Sequence, residues 1–99
     1  MEAQNRTHLT GTLTAIDAVR YTPAGIPIVE IKVAHESTQS EAGRNRQVVI
    51  EVMALAAGEV ARKLAASPLG ARVRLDGFLA HKGKSRVQLV LHINEFEFI

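Results

Sequence analysis

Apolar and polar residues alternate along several short stretches of this chain, and Gly, Pro and Ser separate the stretches. A period of two marks half-buried β-strands, because successive side chains point to opposite faces. The first stretch covers residues 6–20. Thr7, Leu9, Gly11, Leu13 and Ala15 share one face, and His8, Thr10, Thr12 and Thr14 share the other. Its threonines suit a pleated surface. Gly11 in mid-strand predicts a bulge or a sharp bend. Thr22-Pro23-Ala24-Gly25-Ile26-Pro27 then forms a connection, where Pro23 fixes φ and Gly25 admits positive φ.

A second strand is predicted over residues 28–36, with Ile31 and Val33 opposite Glu30, Lys32 and Ala34. Residues 37–46 are polar and read as a long exposed loop. A third strand over 47–54 is partly apolar on both faces, with Val48, Ile50 and Val52 against Val49, Glu51 and Met53. Residues 55–66 change period: Val60 and Leu64 stand four apart beside Ala57 and Ala61, which predicts a short helix ended by Pro68. The fourth strand, 71–81, turns Val73, Leu75, Gly77 and Leu79 inward and leaves Phe78 out of pattern. Lys82-Gly83-Lys84-Ser85 reads as a tight turn. The last strand starts near Arg86, and its parity slips between Ile93 and Phe96, which predicts a bulge near Asn94. Five strands with a helix between the third and fourth match a five-stranded Greek-key barrel, the OB-fold. Residues 1–99 are expected to form one such all-β domain.

Composition narrows the function. There are no cysteines, which excludes a disulfide scaffold, a thiolate metal site and thiol chemistry. No stretch has the length of an apolar membrane span. The first six residues carry no apolar run, so no leader is expected, and the chain reads as soluble and intracellular. The net charge of +2 says little, but its placement says more. Five basic residues and one acid, Asp76, lie between Arg72 and Arg86. A local basic cluster suits a polyanion docking on one face.

Chemistry-bearing residues do not converge. The acids are scattered, and His8, His35, His81 and His92 show neither HxH nor HExxH spacing. His35-Glu36-Ser37 places triad residue types side by side, but strand neighbours point apart. No enzyme, cofactor or metal is expected. The basic group has a mechanism: Lys82, Lys84 and Arg86 sit at the connection that flanks the nucleic-acid face of an OB-fold. The opposite connection carries Arg20 and Tyr21, and the polar loop carries Arg44 and Arg46. Lysine-rich turns also serve solubility alone, so the turn by itself leaves both readings open. Arg72 and Arg74 read as solvated strand charges or as cross-strand partners of Glu51 or Glu95. Aromatic residues are few. Tyr21 is the best candidate to stack on a base, and Phe96 and Phe98 read as core or interface.

Several segments, in this order, resemble the PriB family of bacterial primosomal replication proteins. They are Asn5-Arg6, Leu9-Thr10-Gly11-Thr12, residues 21–27, His35-Glu36-Ser37, Glu41-Ala42-Gly43, residues 76–82 and Leu91-His92-Ile93. The resemblance spans nearly the whole chain. It implies a cytoplasmic OB-fold homodimer, without enzymatic activity, that binds single-stranded DNA and assists the restart helicase PriA and other primosome proteins. It carries DNA contact onto Lys82, Lys84, Arg20 and Arg44, and dimerisation onto outer apolar residues including Val49, Met53 and Val90. Val49 stands where some relatives have an aromatic, and Glu36 where some have a base, so weaker and more electrostatic binding is expected. The alternative is a protein-interaction module of the primosome with vestigial DNA binding.

Overall fold

The computed structural model describes residues 3–99, so the expectation of no leader falls partly, at Met1 and Glu2, outside them. The elements are β1 (Thr7–Ile16), β2 (Arg20–Tyr21), β3 (Pro27–Glu41), β4 (Arg44–Ala57), α1 (Glu59–Ala65), β5 (Arg72–His81) and β6 (Leu89–Phe98). The strands run β1-β5-β6-β4-β3-β2, and β1 also pairs with β3. The five long strands therefore close a barrel, and the β4–β6 seam is parallel at Ala54↔Leu91 and Leu55↔His92. With α1 between β4 and β5, this is the expected OB-fold.

Closure depends on β1 serving two partners. Thr7–Thr12 pair with β5 and Thr12–Ile16 with β3. Gly11 lies just before the handover. A Cβ there would sit 2.5 Å from the Ala34 carbonyl oxygen and run into the Val33 side chain. Gly11 thus marks a close approach at the bend, and the register shift of β1 comes later, between Leu13 and Ala15. On β6, Ile93 pairs with Gly77 and Glu95 with Asp76, which leaves Asn94 as the expected bulge. Inside lie Leu13, Val29, Val33, Leu75 and Leu91, and α1 adds Ala61 and Leu64, both fully buried. The Asn5 side-chain amide ties the chain start to β5: it donates to the Leu79 carbonyl (2.7 Å) and accepts from the Leu79 N–H (2.9 Å).

Four readings are corrected. Residues 37–46 are no loop. β3 and β4 pair without a break from Ile28↔Ala57 to Glu41↔Arg44, around a two-residue turn with Ala42 at φ 52° and Gly43 at φ 75°. Positive φ at both centres gives the turn that matches strand twist. The hairpin outruns the barrel, so water reaches both faces and no apolar alternation is needed. Cross-strand pairs support it: Gln47 donates to Glu36, and Arg46 to Glu41. The helix starts at Glu59, because β4 continues to Ala57 and Gly58, at φ 75°, ends it. The tight turn does form, with the Ser85 N–H on the Lys82 carbonyl. But β6 begins at Leu89, since Ser85 Oγ accepts from the Val87 and Gln88 N–H groups and holds the chain in a loop. Lastly, burial at the end of the β5–β6 hairpin departs from the pattern: Leu79, on the side of Leu91, is 39% exposed, and Val90, on the outer side, is buried. Val90 lies there beside Met53, Leu55 and His92. Val90, at 7% exposure, thus offers little surface to a partner, whereas Val49 is 70% exposed.

Candidate nucleic-acid interface

Two connections meet across the outer face of β3 and β4. β2 pairs with β3 through Arg20↔Ile28 and Tyr21↔Pro27. Ile28, Glu30 and Lys32 alternate with buried Val29 and Ile31, so the Arg20 side of the ribbon is the outer side. From the other flank, the β5–β6 connection delivers Lys82. Arg20 and Lys82 line one cleft of about 340 Å³ with Glu30 from β3, Met53 and Leu55 from β4, and Val90 and His92 from β6. Lys82 Nζ stands 3.7 Å from Met53 Sδ. Phe78, out of pattern in the sequence, stacks on His92 with centroids 5.0 Å apart and planes within 13°.

The seven nominated residues fare differently. Arg20 reaches the cleft but is held by Glu30, Nη2 to Oε1 at 3.2 Å. Tyr21 is 65% exposed, yet it lies on the Pro27 side of the ribbon and does not line the cleft. Lys82 lines it, and Lys84 and Arg86 occupy the adjoining loop. Arg44 and Arg46 stand at the tip of the β3–β4 hairpin. Arg46 lies seven residues from Met53, about 23 Å along the strand, and is bound to Glu41 at 3.0 Å. Among the described residues, no carboxylate lies within ion-pair distance of Arg44, Lys82, Lys84 or Arg86.

The strand face between the loops is not basic. It presents Glu30, Glu36 and Glu51 against Lys32, which pairs with Glu51 at 3.9 Å. Positive charge is confined to the connections. Arg74 pairs with Glu97, its ladder neighbour, instead of Glu51 or Glu95, because register places Glu97 directly opposite. Phe96 packs against the core, and Phe98 meets it edge-on at 5.6 Å. The sequence reading missed Glu30, Met53 and His92 as cleft members. One signal for His92 was available, since an outward Phe78 needs a stacking partner on the next strand.

Residues 5–95 match a family described as another single-strand binding protein family. The replication restart protein PriB of Nitrosomonas europaea is 40% identical over 96 residues, spanning 97% of this chain and 89% of that one. PriB of Bordetella pertussis is 38% identical over 91 residues, spanning 92% and 85%. The solved structure of PriB from Ralstonia solanacearum superposes with a TM-score of 0.88 at 38% identity, over 97% of this chain and 98% of that one. The single-stranded DNA binding protein of Thermus aquaticus shares the fold, with a TM-score of 0.77 at 23% identity, over 97% of this chain and half of that one. A barrel of this topology, matched to these relatives along nearly its whole length, belongs to the PriB family of replication restart proteins, within the single-strand binding proteins.

Proposed function

We propose that this chain is a single-stranded DNA-binding accessory protein of bacterial replication restart, a single cytoplasmic domain that acts as an adaptor for the PriA helicase. The observation that carries the reading is the cleft between Arg20, which Glu30 holds, and Lys82, continued by Lys84 and Arg86; among the described residues these last three have no carboxylate within ion-pair distance. Each such cation that meets a phosphate releases counterions, so binding weakens steeply with salt. A single strand can lay unstacked bases into a cleft of this size, and a duplex keeps its bases stacked and paired. The experiment is fluorescence anisotropy of a labelled single strand of about 30 nucleotides, with duplex of equal length as control. A single-strand preference that falls as salt rises is expected. No binding even at low salt would move the function to protein–protein contact.

The homodimer belongs to the same reading. Among the described residues, Thr7–Gly11 of β1 pair with β5 alone, which leaves one edge there without a strand partner. Open edges recruit other strands. Ile50 and Val49, both exposed, line a shallow site with Thr10 and Gly11, and His35, opposite Ile50, has its Nδ1 2.7 Å from the Thr10 carbonyl oxygen. Two protomers would join two modest sites by effective concentration. Sedimentation velocity of the chain alone and mixed with a restart helicase checks both contacts. The expected result is a dimer alone and a faster species in the mixture; a monomer that ignores the helicase would refute the adaptor role.

A further inference from the structure

We propose that the cleft seats one unstacked base and that Glu30 gives it a preference for a base carrying an exocyclic amine, cytosine above all, over uracil or thymine. This rests on the single-strand reading above. The lining is largely apolar, with Met53, Leu55 and Val90. His92 also lines it, and the Phe78 ring stacked on His92 fixes the imidazole plane. Arg20 and Lys82 stand at the same cleft, where the phosphate of a seated nucleotide would find a cation. The volume, about 340 Å³, is at the low end for a small-ligand pocket and suits a pyrimidine nucleotide.

Glu30 makes this cleft unlike a neutral stacking platform. Its side chain is 27% exposed, and Oε1 takes the Arg20 guanidinium. Among the described residues, no protein group donates to Oε2. An ionised carboxylate only accepts hydrogen bonds. Cytosine offers N4–H₂ to such an acceptor. Uracil and thymine offer a carbonyl oxygen at that position, and their N3–H is flanked by carbonyls on both sides. A pyrimidine without the amine would therefore press oxygen against oxygen and leave Oε2 covered without a donor.

The test compares oligo-deoxycytidine with oligo-deoxyuridine of equal length, at one salt concentration and mildly alkaline pH, by anisotropy with the full chain. The two bases share size and lack the thymine methyl. Deoxycytidine is expected to bind about tenfold tighter. Glu30→Gln can both accept and donate, and it releases Arg20. It is expected to bind deoxyuridine more tightly than the parent does and to bring the two affinities together. Glu30→Ala must also erase the preference. Equal affinities in the parent, or a preference that survives in Glu30→Gln, would overturn the base-reading role and leave single-strand binding intact. Binding of neither strand by the parent would overturn the single-strand reading, and this inference with it.

Discussion

Replacing Lys82 and Lys84 together by Ala is expected to lower single-strand affinity by about tenfold or more at low salt and to flatten the salt dependence. The two lysines lie on one loop, and neither has a carboxylate within ion-pair distance among the described residues. They give up no internal ion pair when they meet a phosphate. Each contact to a single strand contributes a slope of about −0.7 in log K against log salt, so losing two should reduce the slope by about 1.4. The fold should be untouched, since the loop buries neither side chain. Arg20→Ala and Arg46→Ala are expected to do less, because each cation is already bound to a carboxylate, Glu30 or Glu41, and would give up that pair to meet a phosphate. Anisotropy titrations at four or five salt concentrations check this. An unchanged slope in the double variant would remove this loop from the interface.

This distribution of charge also decides how the interface works. In the centre of the face, Glu30, Glu36 and Glu51 oppose a polyanion, and the attraction comes from the rims. A strand is then drawn by the loops and meets carboxylates between them. Affinity stays modest and is most sensitive to salt at the loops. The acids gain a purpose where they face base edges instead of phosphates, as Glu30 does in the cleft. The same acids are why the electrostatic reading of the chain had to come from placement: at a net +2, the total is nearly silent.

The barrel was legible because its inner face alternates strictly. Leu13, Val29, Ile31, Val33, Val73 and Leu75 are each at most 2% exposed, and each falls on a face that the period-two pattern assigns inward. The Asn94 bulge was legible for the same reason, since two phenylalanines on the wrong parity require an extra residue. Legibility stopped where strands leave the core. Residues 37–46 form strands on cross-strand polar pairs and a positive-φ turn, and apolar periodicity carries no trace of either. Leu79 keeps the inward side yet is exposed, and Val90 is buried on the outward side beside Met53, Leu55 and His92; the period-two pattern encodes the side and not the cover. Of the site, the loops could be read from glycine, proline and lysine. That Arg20 would meet Glu30, and Lys82 would meet Met53, depends on the strands being brought side by side, which no local pattern encodes.

Gly77→Ala is expected to be the most damaging small substitution in the chain. Gly77 sits on β5 opposite the Asn94 bulge, where the β6 backbone leans onto it. An added Cβ would lie 2.8 Å from the His92 carbonyl carbon and 3.1 Å from the Ile93 Cα, and would collide outright with the His92 carbonyl oxygen. Those are backbone atoms and cannot rotate away. Nor can β6 retreat as a whole, because Leu91 and Ile93, at 1% and 5% exposure, anchor it in the core on either side. Overpacking of this kind costs roughly 3 kcal/mol or more, against a total stability of about 5–15 kcal/mol for a chain of this size. At about 4–8 °C per kcal/mol, the melting temperature should fall by more than about 12 °C. Gly25→Ala is the comparison: it meets nothing within 4 Å and bears only the strain of φ +82°, a cost of about 1 kcal/mol. Thermal melts of both variants by circular dichroism separate the two causes. If Gly77→Ala melted with Gly25→Ala, the contact between β5 and the bulged β6 would be looser than the register implies, and Phe78 and His92, which flank that contact, would have to hold the cleft by their own stacking alone.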